Sequence, residues 1–440
     1  MKKILIITYY FPPSGGPGVQ RVLKFAKYLP EFGWEPVILT VKDGDYPARD
    51  ESLLKEISPS LKVVRTRILE PYDFYRRITG KKPGTAVDVN NIPKKGERKN
   101  FSEAIAEFIR ATFFIPDARI GWLFTAVGET KRIIKQEKID AIYSSSPPYT
   151  CAVIARNVHR ATGIPWIAGF RDPWTGFLST PDRWLLPKKI DEHLERSCFE
   201  EATRLEVAWR GILLDLHKKY PDIPVDKVIH LPNGFDSADF PSVKHLQNDK
   251  FTVTYAGSMY GVRNPKTFLQ AVANLVNAKK IDPMRIRLKF IGRFGSEVLE
   301  MFRETTVAGC IETLPYLPHS ESIEHLMKSD ALLLIVDEYA GGEEIVPGKV
   351  FEYIGARRPV IGIAHDGAVA ELLRGTRAGL VARNDDVPTI ERIILEYYDD
   401  YLYNKPNFSP DQKAIGQFER KEITKRLAQL FDESLERAAS

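Results

Sequence analysis

The chain has 440 residues and a formal net charge of +5, and 43% of its residues are hydrophobic. A chain of this length is expected to form two domains rather than a single core. Its composition excludes a disordered protein, and so small a net charge gives no argument for binding nucleic acid. The three cysteines, Cys151, Cys198 and Cys310, lie far apart, so they predict buried thiols and neither a zinc site nor a disulfide framework.

The first apolar run, residues 4–7, leads into Pro12-Pro13 and a glycine-rich segment. No small-residue cleavage site follows it, so the run predicts a buried first strand and not a signal peptide. No stretch of the sequence approaches the ~18 apolar residues that a membrane-spanning helix requires. We therefore expect a cytoplasmic protein.

Short apolar runs alternate with amphipathic stretches along most of the chain. This alternation predicts the α/β class, with parallel sheets covered by helices on both faces. Two such series follow one another, which predicts two doubly wound, Rossmann-like domains with ligand sites at the carboxyl ends of the strands. The predicted division is 1–235, 236–410 and a final amphipathic helix within 411–440. The clearest amphipathic stretches are Gln20–Tyr28, Val127–Glu137, Cys151–Thr162, Lys266–Asn277 and Ser320–Lys328.

Residues 74–99 do not fit the alternation, because they contain eight basic residues against two acidic ones. Aromatic residues follow at roughly helical spacing, among them Phe108 and Phe113. One interpretation is a solvated loop before an ordinary core helix. The other is a basic and aromatic surface that meets anionic lipid headgroups, since each clustered Lys or Arg near a membrane contributes on the order of 1 kcal/mol.

The glycine-rich segment contains Gly15 and Gly16, which allow the backbone to turn sharply and approach a ligand at the start of the following helix. Its spacing fits neither a Walker A loop nor a dinucleotide fingerprint, which argues against ATP and NAD. A second strand–loop–helix pattern carries Ser258 and Arg263, and an arginine can bind a phosphate through two parallel hydrogen bonds.

Two glutamates, Glu344 and Glu352, lie eight positions apart and enclose Gly348 and Lys349. A loop carboxylate followed by a helix carboxylate can bind two separate groups of hydroxyls. Taken with the order of the segments around Arg263, this pattern resembles the donor domain of retaining glycosyltransferases of the GT-B fold, family 4.

The resemblance implies two domains that face a cleft, with the last helix crossing back to the first domain. It further implies that Glu352 accepts hydrogen bonds from a ribose, that Glu344 contacts the transferred sugar, and that a diphosphate is bound near Gly348. The residues implied for the diphosphate are Arg263, Lys349 and the backbone of Gly15 and Gly16.

Two positions depart from the family pattern. Ser258 stands where the family has an arginine, so Lys349 is the expected source of the second positive charge. Arg171-Asp172, at the end of a predicted strand, stands where many members have a histidine. A strand-end arginine can hold an oxyanion and the aspartate can accept a proton, but an internal Arg–Asp pair that shapes the loop is the alternative.

The predicted function is transfer of a sugar from a nucleotide-diphosphate sugar to a glycan or lipid-linked acceptor, in the synthesis of cell-surface polysaccharide or glycolipid. Positive side chains would neutralise the leaving diphosphate, so no metal and no other cofactor is expected. We also expect an association with the inner face of the plasma membrane through 74–99. The alternatives are a nucleotide-sugar epimerase of the same fold and a non-catalytic nucleotide-sugar-binding protein; an NAD-dependent oxidoreductase is disfavoured.

Overall fold

The computed structural model describes residues 1–46, 48–69, 101–177, 180–241, 248–261, 263–336, 343–404 and 407–439. The predicted basic segment 74–99 lies outside these described residues. The chain divides into two compact units. The first comprises Met1–Pro232 with Ile423–Ser440, and the second comprises Asn233–Glu422.

The first unit is built around a parallel sheet of seven strands in the order β3-β2-β1-β4-β5-β6-β7. The strand order reverses between β1 and β4, which is where folds of this type place their ligands. The strands are β1 (Lys2–Thr8), β2 (Trp34–Val41), β3 (Lys62–Thr66), β4 (Ala141–Ser146), β5 (Trp166–Phe170), β6 (Arg204–Val207) and β7 (Val228–His230).

Helices link these strands and cover the sheet. Strands β1 and β4 are buried almost throughout, as expected of central parallel strands that are covered on both faces. The helices are α1 (Pro17–Tyr28), α2 (Phe101–Phe113), α3 (Leu123–Glu137), α4 (Thr150–Thr162), α5 (Leu185–Glu201) and α6 (Arg210–Lys219).

The second unit repeats the architecture with a parallel sheet of six strands in the order β10-β9-β8-β11-β12-β13. Its strands are β8 (Phe251–Ala256), β9 (Ile286–Ile291), β10 (Ile311–Leu314), β11 (Ala331–Ile335), β12 (Val360–Ile363) and β13 (Gly379–Ala382). Its helices are α7 (Lys266–Asn277), α8 (Ser296–Glu304), α9 (His319–Met327), α10 (Lys349–Ala356), α11 (Ala368–Thr376), α12 (Val387–Tyr403) and α13 (Gln412–Gly416).

The last helix, α14 (Arg420–Ala439), belongs to the first unit from Ile423 onwards. Its apolar face, which includes Ile423, Leu427 and Phe431, is part of the buried core of that unit. Next to Phe431, Asp432 accepts a hydrogen bond of 3.0 Å from the indole of Trp34, which belongs to the same core. The prediction of two Rossmann-like units with a returning last helix is therefore confirmed.

Candidate functional site

In the second unit, the loop after β8 and the loop after β9 cross at two glycines. Gly257 and Gly292 have φ values of 136° and 144°, in the region that favours glycine. A Cβ atom on Gly292 would lie 2.1 Å from the carbonyl oxygen of Gly257, so no larger residue fits there. The backbone of the loop after β8 is thereby held tightly against β9.

Lys349, the first residue of α10, reaches this loop. Its Nζ atom donates a hydrogen bond of 2.8 Å to the Tyr255 hydroxyl and lies 4.3 Å from the centroid of the Tyr255 ring. A Cβ atom on Gly257 would lie 2.5 Å from the same Nζ atom. The ammonium group is therefore placed against the first glycine of the loop, next to Ser258.

Arg263 comes to the same loop from the other side. Its Nη1 atom lies 3.5 Å from the carbonyl oxygen of Ser258, and that oxygen also accepts a hydrogen bond of 3.0 Å from the Tyr255 hydroxyl. The structure thus brings together Ser258, Arg263 and Lys349, three of the residues that the sequence analysis assigned to donor binding. Two cations beside a short backbone loop, at the amino end of a helix, provide a positive potential suited to an anion.

Tyr255 connects the two cations, and sequence reasoning gave it no role. It is fully buried in β8, and its hydroxyl accepts from Lys349 while donating to the Ser258 carbonyl. A polar aromatic residue two positions before the glycine was the available signal, because a buried tyrosine usually needs a hydrogen-bond partner.

Helix α10 is fastened to β8 by Tyr353. The buried Tyr353 hydroxyl accepts a hydrogen bond of 2.8 Å from the backbone N–H of Ala256. On the opposite side, Gly355 leaves room for Phe235, since a Cβ there would lie 2.8 Å from the phenyl ring. These contacts fix the helix that carries Lys349 and Glu352.

The two predicted glutamates have different surroundings. Glu352 lies in the first turn of α10, and its Oε1 atom is 3.1 Å from the Nε2 atom of His319. Glu344 is half-buried, and no described residue forms a hydrogen bond or ion pair with its carboxylate. The backbone carbonyl of its neighbour Glu343 accepts a hydrogen bond of 2.9 Å from the backbone N–H of Ala368, which holds the loop against α11. Gly348 lies between the two glutamates as the residue that precedes α10.

In the first unit, the predicted glycines follow β1. The backbone N–H of Gly15 donates a hydrogen bond of 2.9 Å to the Ala48 carbonyl. Gly16 has a φ of 100° and immediately precedes α1. That conformation favours glycine, which explains its place at the start of the helix.

Arg171 joins the start of α1 to the end of β4. Its Nη1 atom donates a hydrogen bond of 3.1 Å to the Gly18 carbonyl, and its Nη2 atom donates to the Pro147 carbonyl. A Cβ atom on Gly18 would lie 2.5 Å from Nη1, so the glycine is needed for this contact. Arg171 therefore connects the first turn of the helix that follows β1 with the residue that follows β4.

The neighbouring Asp172 is half-buried, and none of the described residues donates a hydrogen bond to its carboxyl. Burial raises the pKa of this carboxyl, and the charge of Arg171 opposes the rise. A carboxyl with a raised pKa at a strand end is suited to proton transfer.

The segment 114–122 braces this end of the first unit. Asp117 accepts hydrogen bonds from the Thr150 backbone N–H and hydroxyl, at 2.9 and 2.8 Å, and so caps α4. The Arg119 guanidinium lies over the Tyr9 ring, 4.7 Å from its centroid, and the Trp122 indole donates a hydrogen bond of 2.7 Å to the Thr66 hydroxyl. These contacts fix the loop after β1.

Residues 250–400, most of the second unit, match the family described as "Glycosyl transferases group 1". The matched part of the second unit is similar to that family and is named the group 1 domain. The match includes Ser258, Arg263, Glu344, Lys349 and Glu352. No curated protein matches the sequence at a significant level.

Solved structures resemble the chain over its full length. Sucrose-phosphate synthase from Thermosynechococcus elongatus is 13% identical with a TM-score of 0.65, and the alignment covers 100% of both chains. A TarM variant of S. aureus, solved with UDP and alpha-GlcNAc-glycerol, is 10% identical with a TM-score of 0.61 and covers 98% of this chain and 100% of its own. Trehalose 6-phosphate synthase from Burkholderia multivorans is 11% identical with a TM-score of 0.59 and covers 100% and 98%. The group 1 domain is thus the second unit of a GT-B fold.

Proposed function

We propose that the protein is a retaining glycosyltransferase of family 4 that uses a nucleotide-diphosphate sugar. The observation that carries this proposal is the convergence of Lys349 and Arg263 on the loop Gly257-Ser258, within the group 1 domain. Two cations at one glycine loop suit the two phosphates of such a donor. The UDP in the solved TarM variant is consistent with a nucleotide donor for a chain of this fold.

In the proposed reaction, the bond between the anomeric carbon and the diphosphate oxygen breaks, and both electrons remain on that oxygen. Lys349 and Arg263 stabilise the negative charge that develops there, so we assign no metal or other cofactor to the reaction. The acceptor oxygen forms the new bond to the anomeric carbon on the same face, and Asp172 accepts the acceptor's proton. Glu344 steadies the positive charge on the sugar, while Glu352 binds the ribose.

The Arg171 guanidinium is already engaged with two backbone carbonyls, so we assign it the role of positioning Asp172 and the end of β4. The backbone of Gly15 and Gly16 is proposed to contribute N–H groups near the diphosphate. The acceptor is proposed to be a glycan or a lipid-linked glycan in the synthesis of cell-surface polysaccharide or glycolipid.

We further propose that the protein works in the cytoplasm, with its first unit at an anionic membrane surface on the inner face of the plasma membrane. No helix within the described ranges is long and apolar enough to cross a membrane. Two neighbouring elements expose large apolar side chains, which we call the apolar surface: Phe108, Phe113, Trp184, Leu185 and Leu186.

Several contacts hold the apolar surface together. The Trp184 indole donates a hydrogen bond of 3.0 Å to the Thr112 hydroxyl of α2. The buried Arg183 donates to the carbonyls of Ala111 and Phe114 at 2.7 and 2.9 Å. Exposed apolar residues in one patch are uncommon on monomeric proteins and typically mark an interaction site. Lys188, on the same helix as Leu185 and Leu186, is exposed, and the basic sequence of 74–99 precedes α2 in the chain. Positive charge of this kind favours an anionic lipid surface.

A thermal-shift panel of UDP-, GDP-, CMP- and dTDP-sugars tests the donor. We expect one nucleotide class to raise the melting temperature in proportion to its affinity and concentration. Consumption of that donor should then require an acceptor. Consumption without an acceptor would instead show an epimerase or a hydrolase, and binding without any turnover would show a non-catalytic protein.

Replacement of each glutamate tests the mechanism. We expect Glu352→Ala to weaken donor binding and Glu344→Ala mainly to slow transfer at saturating donor. Full activity in both variants would remove their assignment.

A further inference from the structure

His319 and Glu352 form a contact that the proposed function does not use. His319 is the first residue of α9, and Glu352 lies in the first turn of α10. The Nε2 atom of the imidazole lies 3.1 Å from Oε1 of the carboxylate, and the two side chains are 20% and 31% exposed. The two side chains are therefore accessible to a ligand, while their backbones are held by the packed helices α9 and α10.

The chemistry of the two groups fixes the direction of this hydrogen bond. A carboxylate has only acceptors, so the imidazole must donate through Nε2. The bond occupies Oε1, and no described residue donates to the second oxygen, Oε2. Glu352 thus presents one occupied oxygen and one oxygen available to a ligand.

We propose that His319 is a positioning residue that holds Glu352 so that its remaining oxygen accepts the ribose hydroxyls of the donor, and thereby sets a preference for ribonucleotides over deoxyribonucleotides. The inference rests on the proposed function, in which Glu352 binds the ribose. A long, rotatable glutamate that is already oriented loses less conformational freedom when a ligand binds. A site built to bind a hydroxyl discriminates against the analogue that lacks it.

The test compares UDP with 2′-deoxy-UDP, GDP with 2′-deoxy-GDP and CDP with 2′-deoxy-CDP, by calorimetric titration of the full chain. For the pair that the wild-type protein binds, we expect His319→Ala to weaken ribonucleotide binding about tenfold, the effect of losing one hydrogen bond to a charged group. Binding of the deoxynucleotide should change little, so the ratio of the two affinities falls.

Two further variants separate positioning from a general loss of structure. His319→Gln keeps an N–H donor and should restore part of the ribonucleotide preference. His325→Ala removes an imidazole from the same helix and keeps the His325 backbone carbonyl, which accepts a hydrogen bond from the Ser329 hydroxyl. This control variant should leave the ratio unchanged. In a Glu352→Ala background, His319→Ala should have no additional effect.

An unchanged ratio in His319→Ala, or an equal loss for both nucleotides of the pair, would overturn the inference while leaving the proposed function intact. A wild-type protein that binds none of the six nucleotides and none of the nucleotide-sugars of the thermal-shift panel would overturn the proposed function itself.

Discussion

At the scale of single residues, Lys349 lies at the loop that carries Gly257 and Ser258. Its Nζ atom approaches the Gly257 backbone and is held there by Tyr255. We therefore expect Lys349→Met to weaken binding of the nucleoside diphosphate by about 10- to 100-fold, because a hydrogen bond to a charged group contributes roughly 1.5–3 kcal/mol. Tyr255→Phe removes the hydroxyl that contacts both the ammonium and the Ser258 carbonyl but leaves both cations in place, so it should have a smaller effect.

Calorimetric titration at constant ionic strength measures this change. Lys328→Met is the matched control, because Lys328 lies in the same unit and its exposed ammonium pairs with Glu324. Equal affinities in wild type and Lys349→Met would exclude Lys349 from the diphosphate site.

Asp172 gives a prediction about pH. Burial raises the pKa of its carboxyl, with Arg171 opposing. A general base must be ionised, so the rate of transfer at saturating donor should fall as the pH drops through this raised pKa. Asp172→Asn should lower the rate and remove this acidic limb from the profile. An acidic limb that persists in Asp172→Asn would assign the proton acceptor to another group.

At the scale of secondary-structure elements, a buried ion pair joins α1 to β6. Arg21 donates to the Glu206 carboxylate at 2.5 Å and to the carbonyls of Leu231 and Pro232 at 2.8 and 2.9 Å, while the Tyr143 hydroxyl donates to the second Glu206 oxygen at 2.8 Å. Both charged side chains are almost fully buried. Arg21 thereby ties α1 both to β6 and to Leu231 and Pro232, the last residues of the first unit before the chain enters the second.

Removing Arg21 leaves the Glu206 charge buried without its cation. We expect Arg21→Met to reduce the free energy of unfolding at neutral pH by about 3–5 kcal/mol. Burial already raises the pKa of Glu206 and Arg21 lowers it, so the variant should raise that pKa further. A carboxyl whose pKa is higher in the folded state than in the unfolded state favours folding when protonated, so the deficit should shrink as the pH falls.

Chemical denaturation at neutral and mildly acidic pH measures both effects. The double variant Arg21→Met with Glu206→Gln should regain part of the lost stability, because no charge remains buried. A deficit in Arg21→Met that does not depend on pH would show that the lost carbonyl contacts, and not the unpaired carboxylate, cause it.

Helix α5 shows where sequence patterns fail at this scale. The stretch Leu185–Glu201 was not among the predicted amphipathic segments, because some of its charged residues occupy buried positions and some of its apolar residues occupy exposed positions. Asp191 and Glu195 are buried, whereas Leu185 and Leu186 are exposed. The buried acids are satisfied by partners outside the helix, such as Arg183 at 2.8 Å from Asp191. Hydrophobic periodicity cannot anticipate a helix whose inward face is polar.

At the scale of the whole molecule, the sequence predicted both sheets and the returning helix, since buried parallel strands and amphipathic helices carry strong local patterns. It also predicted the approach of Arg263 and Ser258, which are close in sequence. The contact of His319 with Glu352 spans 33 positions and that of Tyr255 with Lys349 spans 94. Such pairs depend on how α9, α10 and β8 pack, and no local pattern encodes that packing.

The apolar surface leads to a prediction for the intact protein. The triple variant Phe113→Ser, Leu185→Ser and Leu186→Ser changes side chains that are 68%, 69% and 56% exposed, so the fold should tolerate it. If these residues enter the headgroup region, the affinity of the variant for vesicles of phosphatidylglycerol and phosphatidylcholine should be at least about tenfold lower, because burial of apolar side chains drives interfacial binding. Vesicle flotation measures this, with Leu214→Ser as the control, since Leu214 is 46% exposed on α6.

Vesicles of phosphatidylcholine alone should bind the wild-type protein less well. Unchanged flotation of the triple variant, or association of the wild-type chain with itself in the absence of lipid, would assign the apolar surface to a protein contact instead.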